Sequence, residues 1–308
     1  KMKGKKVGTY QLLDEIAQTN GASLYRALNC KNTKHQDELF YVLKEYNHNK
    51  IPKGALEREK NITHEIENYA PKSVVIPILE VFEEQETEYA VMQFRKNGMF
   101  LHTLIEELES SYGIGKIPFD IQLHIIEEIV SSLAVLHSFP KEEQEIGYLH
   151  LDLHLGNIFL ESTDIEKKQI GKVKFIDFLS ALKLEHGKVI GKQENNIFIY
   201  SNYSAPEQLH GEVYKYRKST DFFSVGVIFL RILLGNMVLE EHGFTEAVRQ
   251  QILNLPNYSV MKYVLFISNG LIFFSIMTFP FYLKSTVMFQ KLSKYLHLKH
   301  NNSYLPIL

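Results

Sequence analysis

One carboxylate and one amide stand five residues apart in the stretch 147–160, GYLHLDLHLGNIFL. Asp152 follows His150 by two residues and precedes Asn157 by five, with apolar residues on both sides. Phosphoryl transfer needs such a pair, because the acid orients or deprotonates the attacking hydroxyl and the amide oxygen helps to hold magnesium on the phosphates. The pattern is short enough to arise by chance. Its meaning depends on whether the chain also supplies a phosphate cradle, a lysine and a second metal-binding acid.

The composition is that of an ordinary globular protein. Of the 308 residues, 45% are hydrophobic and 23% are charged, and this length accommodates two domains or two lobes with a cleft. The net charge of −2 gives no electrostatic reason to expect nucleic acid as a partner. A single cysteine, Cys30, cannot form an intramolecular disulfide. We therefore predict a cytoplasmic location, with no signal peptide because no long apolar core follows the first lysines.

The first 94 residues predict five strands and one helix. Residues 10–27 alternate as two strands joined by a turn at 18–21, and residues 39–46 form a third strand that carries Lys44. Residues 55–69 are a charged helical stretch, and residues 74–82 and 88–94 read as two more strands.

The apolar period then becomes helical. Asp120 is predicted to cap a helix whose apolar residues fall on one face, followed by a polar loop at 141–145. Residues 158–160 and 173–176 predict a hairpin that ends at Asp177. Asp221 is predicted to open a strongly apolar helix to residue 234, which is typical of a buried helix.

An ordered set of residues gives the chain its family resemblance. Ala-Pro-Glu at 205–207, followed by Asp-Phe-Phe-Ser-Val-Gly at 221–226, is the most specific signal outside the stretch 147–160. Over about residues 10–258 the chain resembles a protein kinase, of the bacterial Ser/Thr type. The matching residues in order are Lys44, Glu59, Asp152, Asn157, Asp177, Glu207 and Asp221.

The resemblance implies an α+β, two-lobed protein kinase-like fold. A small lobe, a five-stranded antiparallel sheet with one helix, is expected over residues 1–94. A mainly helical large lobe is expected over 95–258, followed by a divergent apolar and basic tail over 259–308.

The resemblance also implies a role for each polar residue. Lys44 would position the phosphates of ATP, and Glu59 would orient Lys44, with Glu65 as the alternative. Asp152 would be the catalytic base. The Mg2+ ion would be held by Asn157 and Asp177.

The expected nucleotide site is similar to that of protein kinases, although its glycine-rich loop has few glycines. Ala17, Thr19 and Ala22 stand where the family usually has glycine, and only Gly21 is a true glycine. Residues 92–94 look like the hinge that would hold adenine. The ATP-binding residues implied are Ile16, Ala17, Gly21, Leu24, Lys44, Met92 and Phe94.

Four departures from the family pattern affect the expected activity. Leu151 replaces an arginine that grips a phosphorylated activation loop, so we predict activity that is independent of loop phosphorylation. His154 replaces a lysine, as in aminoglycoside and choline kinase loops, and is expected to be catalytic; the alternative is a histidine that is merely packed or solvated. Tyr200 replaces a threonine, with Ser201 adjacent. No arginine beyond residue 249 is available to pair with Glu207.

The tail contains an uncharged stretch, 264–283, that is about long enough to cross a bilayer. Membrane association through this stretch is one interpretation. Asn269-Gly270 and Pro280 interrupt it, and the lysines that follow it would place the kinase on the side away from ATP. Buried final helices or a divergent end are the alternatives.

The leading function is therefore an ATP- and Mg2+-dependent kinase acting on Ser/Thr hydroxyls of a protein substrate. Transfer to a small hydroxylated molecule is an alternative, which His154 favours and Ala-Pro-Glu opposes. A nucleotide-binding pseudokinase or scaffold is the third interpretation, suggested by the poor glycine loop and by Leu179 in place of the glycine of Asp-Phe-Gly.

Overall fold

The computed structural model describes residues 4–18, 22–31, 40–46, 52, 54–95, 97–164, 169–190, 202–234, 266–268 and 271–273. Within these ranges the architecture is α+β. The chain divides into two compact units, Lys1–Gln250 and Gln251–Leu308.

The small lobe is built on a six-stranded antiparallel sheet with the order β1-β2-β3-β4-β6-β5. Five strands were predicted, and the sixth is a two-residue edge strand, too short for an alternating pattern to reveal it. The predicted helix at 55–69 is confirmed at the same residues. Its elements are β1 (Lys6–Val7), β2 (Tyr10–Gln18), β3 (Ala22–Asn29), β4 (Phe40–Tyr46), α1 (Ala55–Tyr69), β5 (Ile78–Glu84) and β6 (Thr87–Gln93).

The strand predicted over 74–82 begins later than expected. Val75 instead forms a bridge with Phe175 of the large lobe, and the backbone amide of Phe175 donates to the carbonyl of Val74. Residues 74 and 75 are thus extended but bond outside the large sheet. Apolar alternation shows that a segment is extended, and it does not show which partner it has.

An apolar cluster lies on each face of the large sheet, and Lys44 lies on the face that packs against α1. One face packs an apolar cluster that includes Leu56 of α1, Ile78 and Met92. The opposite face packs Leu43 and Tyr89 among others. Because side chains alternate along a strand, every second residue of β4 faces α1.

The rest of the first unit combines helices with short strands. The predicted hairpin is confirmed, since Ile158–Glu161 pairs antiparallel with Lys172–Phe175. The elements in chain order are β7 (Met99–Phe100), α2 (Leu101–Tyr112), α3 (Phe119–His137), β8 (Phe139–Lys141), β9 (Gln144–Leu149), β10 (Ile158–Glu161), β11 (Lys172–Phe175), β12 (Leu182–Glu185), β13 (Lys188–Val189), α4 (Pro206–Leu209) and α5 (Lys218–Leu234).

Three local predictions for the large lobe were wrong. Asp120 does not cap α3; Pro118 is the N-cap residue, and Asp120 lies in the first turn, where a carboxylate suits the helix dipole. The polar segment at 141–145 is the tip of the β8–β9 hairpin. Helix α5 begins at Lys218, so Asp221 lies within its first turn.

The second unit contributes a two-stranded antiparallel ribbon, Phe266–Ser268 with Leu271–Phe273. These residues belong to the stretch 264–283, and the rest of that stretch lies outside the described residues. Among the described residues, no helix is long and apolar enough to cross a membrane.

A close contact at Gly147 gives a stability prediction. A β-carbon at Gly147 on β9 would lie 2.3 Å from the carbonyl oxygen of His137 at the end of α3. We expect Gly147→Ala to lower the free energy of unfolding by about 1–3 kcal/mol, the usual cost of overpacking. Urea denaturation measures this.

Gly226→Ala is the matched control. Gly226 lies inside α5, and a β-carbon there meets nothing within 4 Å. Since alanine is favoured over glycine in a helix by about 0.5–1 kcal/mol, this variant should be at least as stable as the parent protein. Equal unfolding midpoints for the two variants would contradict the close contact.

Candidate active site

One buried carboxylate, that of Asp221, holds the backbone of the stretch 147–160 at His150 and Leu151. Asp221 Oδ2 accepts a hydrogen bond from the backbone amide of His150 at 2.8 Å, and Oδ1 accepts one from that of Leu151 at 2.8 Å. His137 Nε2 lies 2.7 Å from Oδ2. Buried carboxylates need several partners, and these three satisfy both oxygens of Asp221. Helix α5, which carries Asp221, thereby orients the backbone that precedes Asp152.

Leu151 has a left-handed backbone with φ of 63°. That conformation is costly for a residue with a β-carbon. Besides the bond from its amide to Asp221, its carbonyl accepts from Gln208 Nε2 of α4 at 2.7 Å. Its side chain is buried in an apolar cluster with Leu149, Leu182, Leu184 and Tyr216.

Asp152 and Asn157, predicted as base and metal ligand, are in contact. Asn157 Nδ2 donates to the backbone carbonyl of Asp152 at 2.9 Å and to its Oδ2 at 3.3 Å. The amide nitrogen therefore faces Asp152. Because an amide has one oxygen and one nitrogen, the oxygen is the atom of Asn157 that is able to ligate a cation.

Lys44, predicted to position phosphates, forms an ion pair with Asp177. Lys44 Nζ lies 2.7 Å from Asp177 Oδ2. Glu59 is buried and its oxygens accept from other groups, Oε1 from the Phe178 amide at 2.9 Å and Oε2 from the Tyr46 hydroxyl at 3.1 Å. Among the described residues, the expected direct Lys44–Glu59 ion pair is not formed within 4 Å, because the carboxylate of Asp177 lies closer to the amine.

These buried charges shift one another's pKa. Burial by itself would lower the pKa of Lys44, but the carboxylates of Asp177 and Glu59 outweigh it and raise that pKa. Burial opposes ionisation of Asp177, yet Lys44 holds its pKa below the usual value. Burial raises the pKa of Glu59 despite Lys44. At neutral pH the site thus keeps a protonated lysine beside an ionised Asp177.

Glu65, the alternative partner for Lys44, lies elsewhere. Its carboxylate accepts from Lys141 Nζ at 2.5 Å, from Lys183 Nζ at 3.2 Å and from the Tyr148 hydroxyl. These bonds lower the pKa of Glu65 although burial opposes the shift. The geometry therefore favours Glu59 over Glu65 as the acid that acts on Lys44.

His154 is the N-cap of a short 3₁₀ turn, Leu155–Asn157. Its Nδ1 accepts from the backbone amide of Gly156 at 3.1 Å. Burial lowers the pKa of His154 to about 4, so the ring is neutral at pH 7. Since Nδ1 accepts, the proton of the neutral ring is on Nε2, which is a hydrogen-bond donor.

The predicted nucleotide-binding residues are partly described. On neighbouring strands, Leu24 lies opposite Lys44 and Met92 lies opposite Val42. Ile16 is 37% exposed on β2. Ala17 lies on the same strand, while Gly21 is outside the described residues.

The predicted hinge ends in a backbone bond of the sheet. The amide of Phe94 donates to the carbonyl of Phe40 at 3.0 Å. This amide is therefore already bonded within the protein, and the Phe94 ring lies against Phe40.

Several residues that organise the site were not found from the sequence. Tyr46, which donates a hydrogen bond to the predicted Glu59, is one of them. Its position two residues after Lys44 on a strand was the available signal, because such residues share a face. Gln208 and Arg58 had no signal of their own. Thr220 also had no signal of its own; its hydroxyl donates to Glu207 Oε1 at 2.7 Å. Tyr200 and Ser201 lie outside the described residues.

The donor atoms of this site fit magnesium and a nucleoside triphosphate. Asp177 and Asn157 offer hard oxygen ligands, of the kind that binds Mg2+ together with substrate phosphates. Lys44 supplies a buried positive charge next to them. No all-protein metal cage is needed for an ion held in this way.

Comparison with known proteins agrees with this geometry. An alpha catalytic subunit of an SNF1-related protein kinase, KIN12 of Arabidopsis thaliana, is 23% identical over 220 residues, which are 70% of this chain and 39% of that protein. A PAS domain-containing serine/threonine-protein kinase of Mus musculus is 29% identical over 178 residues, covering 56% of this chain and 10% of that protein. The ovarian-specific serine/threonine-protein kinase Lok of Drosophila melanogaster is 24% identical over 196 residues, covering 62% and 34%.

The chain thus spans less than half the length of each of these relatives. None of the three is bacterial, so the bacterial subtype stays a prediction. The family described as protein kinase domain matches residues 21–273, most of the chain. With Lys44, Asp152, Asn157 and Asp177 in one site at the required order, the chain belongs to the protein kinase domain family.

Proposed function

We propose that this chain transfers the γ-phosphate of Mg-ATP to a Ser or Thr hydroxyl of a protein substrate in the cytoplasm. The observation that carries the proposal is the buried Lys44–Asp177 pair, with the Asp152–Asn157 contact in the same family site. The relatives named as serine/threonine-protein kinases support the choice of hydroxyl.

In this proposal the substrate hydroxyl oxygen attacks the γ-phosphorus while the bond from that phosphorus to the β,γ-bridging oxygen breaks and ADP leaves. Asp152 accepts the hydroxyl proton and orients the oxygen. Lys44 would hold the α- and β-phosphates, and Asp177 with the Asn157 oxygen would hold Mg2+. The ion, when bound, neutralises charge on the phosphates.

A neutral His154 gives the small-molecule alternative its one specific support. In this proposal the Nε2 proton, on a ring that carries no full charge, donates a hydrogen bond to the transferring phosphate. Against this alternative, α4 with its Ala-Pro-Glu sequence is bonded into the site through Gln208. We therefore favour a protein substrate and assign His154 to the stabilisation of the transferring phosphate.

Independence from loop phosphorylation is the second part of the proposal. The side chain at 151 is apolar and buried, so it offers no cation to a phosphorylated loop. Arg58 of α1 instead donates to the backbone carbonyl of Leu179 at 3.2 Å and to that of Ala181. The segment after Asp177 is thus attached to α1 by bonds that need no phosphate.

Asp152→Asn tests the proposed reaction. We expect it to reduce transfer of labelled phosphate from Mg-ATP to a generic protein substrate by at least about 10²-fold, because the base is removed while its shape is kept. Asp120→Asn on α3 is the control and should leave the rate unchanged. Nucleotide binding without any transfer by the parent protein would identify a pseudokinase, and transfer only to aminoglycosides or choline a small-molecule kinase.

Phosphatase treatment tests independence from loop phosphorylation. We expect equal transfer before and after treatment, and about a tenfold loss in Arg58→Ala, since a bond from a charged donor to each carbonyl is removed. Lys60→Ala is the control on the same helix, because among the described residues the Lys60 side chain forms a single ion pair, with the exposed Glu57. A large loss of activity after phosphatase treatment would refute this part of the proposal.

The pH dependence of kcat tests the role of His154. His154→Ala should lower kcat about tenfold by removing a donor to a charged phosphate, and His154→Gln should retain part of the rate. Because the pKa is lowered to about 4 by burial, the ring stays neutral and the ratio of parent to variant kcat should be constant from about pH 6 to about pH 8.

The sign of the same shift concerns stability. A histidine whose pKa in the folded protein lies below the unfolded value of about 6.5 favours the neutral folded state. Its contribution to stability is therefore complete above that pH and is lost as the pH falls toward 4.

In the kinetic test, a ratio of parent to variant kcat that rises steadily below about pH 6.5 would instead show that the charged imidazolium acts in the reaction.

A further inference from the structure

Tyr46 contacts both Lys44, which is predicted to bind phosphates, and Glu59, which is predicted to orient Lys44. It lies two residues after Lys44 on β4 and therefore on the same face of the sheet. The Lys44 ammonium lies 4.7 Å from the centre of the Tyr46 ring. The Tyr46 hydroxyl donates to Glu59 Oε2 at 3.1 Å. The side chain is only 3% exposed.

These contacts fill a gap between Lys44 and Glu59. Within the described residues the two form no ion pair, and Lys44 is paired with Asp177 instead. An ammonium over an aromatic face is attracted to the ring, more so where water is excluded. The ring of Tyr46 thus stabilises the amine, and its hydroxyl stabilises the carboxylate.

The chain of contacts continues to the metal-binding segment. Glu59 Oε1 accepts from the backbone amide of Phe178, the residue after Asp177. Tyr46 is therefore joined through the Glu59 carboxylate to the segment that carries Asp177. Strand β4, helix α1 and that segment are held together at one buried point.

The Tyr46 hydroxyl remains a donor at neutral pH. Burial and the neighbouring carboxylates of Glu59 and Asp177 raise the pKa of this phenol well above its usual value. A neutral phenol donates one hydrogen bond to a carboxylate, which is stronger than a bond between neutral groups.

We propose that Tyr46 is a positioning residue for phosphoryl transfer, which holds Lys44 with its ring and Glu59 with its hydroxyl so that the Lys44 amine faces the phosphates. The inference rests on the proposed function. It adds a residue outside the ordered family set and explains how Glu59 acts on Lys44 without direct contact.

Tyr46→Phe is the test, because it keeps the ring and removes the hydroxyl. We expect kcat to fall about tenfold, the effect of losing one hydrogen bond to a charged group, while KM for the protein substrate stays the same. Affinity for a fluorescent ATP analogue, measured separately on the full chain, should fall several-fold. A loss that was only structural would lower the active fraction and leave affinity unchanged.

Tyr89→Phe is the matched control. Tyr89 is equally buried, lies on the neighbouring strand β6 and packs in the cluster on the opposite face of the sheet. Melting curves of both variants are measured first, and the assays are run at a temperature at which both variants are folded. If Tyr46→Phe matches Tyr89→Phe in kcat and in analogue affinity, the inference is overturned.

The two readouts separate this inference from the proposed function. A parent protein that binds the analogue and transfers no phosphate refutes the proposed function, and Tyr46 is then judged by affinity alone. Weaker binding in Tyr46→Phe than in Tyr89→Phe supports the positioning role in that case, and equal binding overturns it.

Discussion

The site depends on the need to balance charges that are buried together. Lys44 is almost fully buried, and an amine taken out of water requires opposite charge close by. Asp177 supplies it directly, and Glu59 adds to it from α1. Three elements distant in sequence must therefore meet: the central strand β4, helix α1 and the segment after β11. Removing Asp177 would leave the buried Lys44 amine without the carboxylate it pairs with, so catalytic and structural demands coincide at this point.

A second carboxylate does for the backbone what Asp177 does for the amine. Asp221 accepts from two consecutive amides, and this stabilises the left-handed conformation of Leu151. Gln208 binds the carbonyl of the same residue. Both the amide and the carbonyl of Leu151 are thus hydrogen-bonded, and its side chain packs in an apolar cluster. The loop that presents Asp152 is thus ordered by groups inside the fold, which agrees with the proposed independence from loop phosphorylation.

The family and most of the regular structure could be predicted from the sequence. Helix α1 was predicted at its observed bounds, because a charged amphipathic stretch of fifteen residues has a clear period. Short elements were missed, since a two-residue strand has no period and a hairpin at 139–149 resembles a polar loop. Asp120 was misassigned as a cap because carboxylates are favoured both at the cap and in the first turn.

By itself the sequence determined the kinds of group that act and their order along the chain: a lysine, an acid on a helix, an acid and amide five residues apart, and a further acid. These follow from residue type and spacing, which survive when local geometry is unknown. Only the tertiary structure decided which of them touch. Lys44 forms an ion pair with Asp177, and Glu59 is linked to Lys44 through Tyr46. Glu207 accepts a hydrogen bond from Thr220. Such choices depend on distances of a few ångströms between segments far apart in sequence, and no local pattern records them.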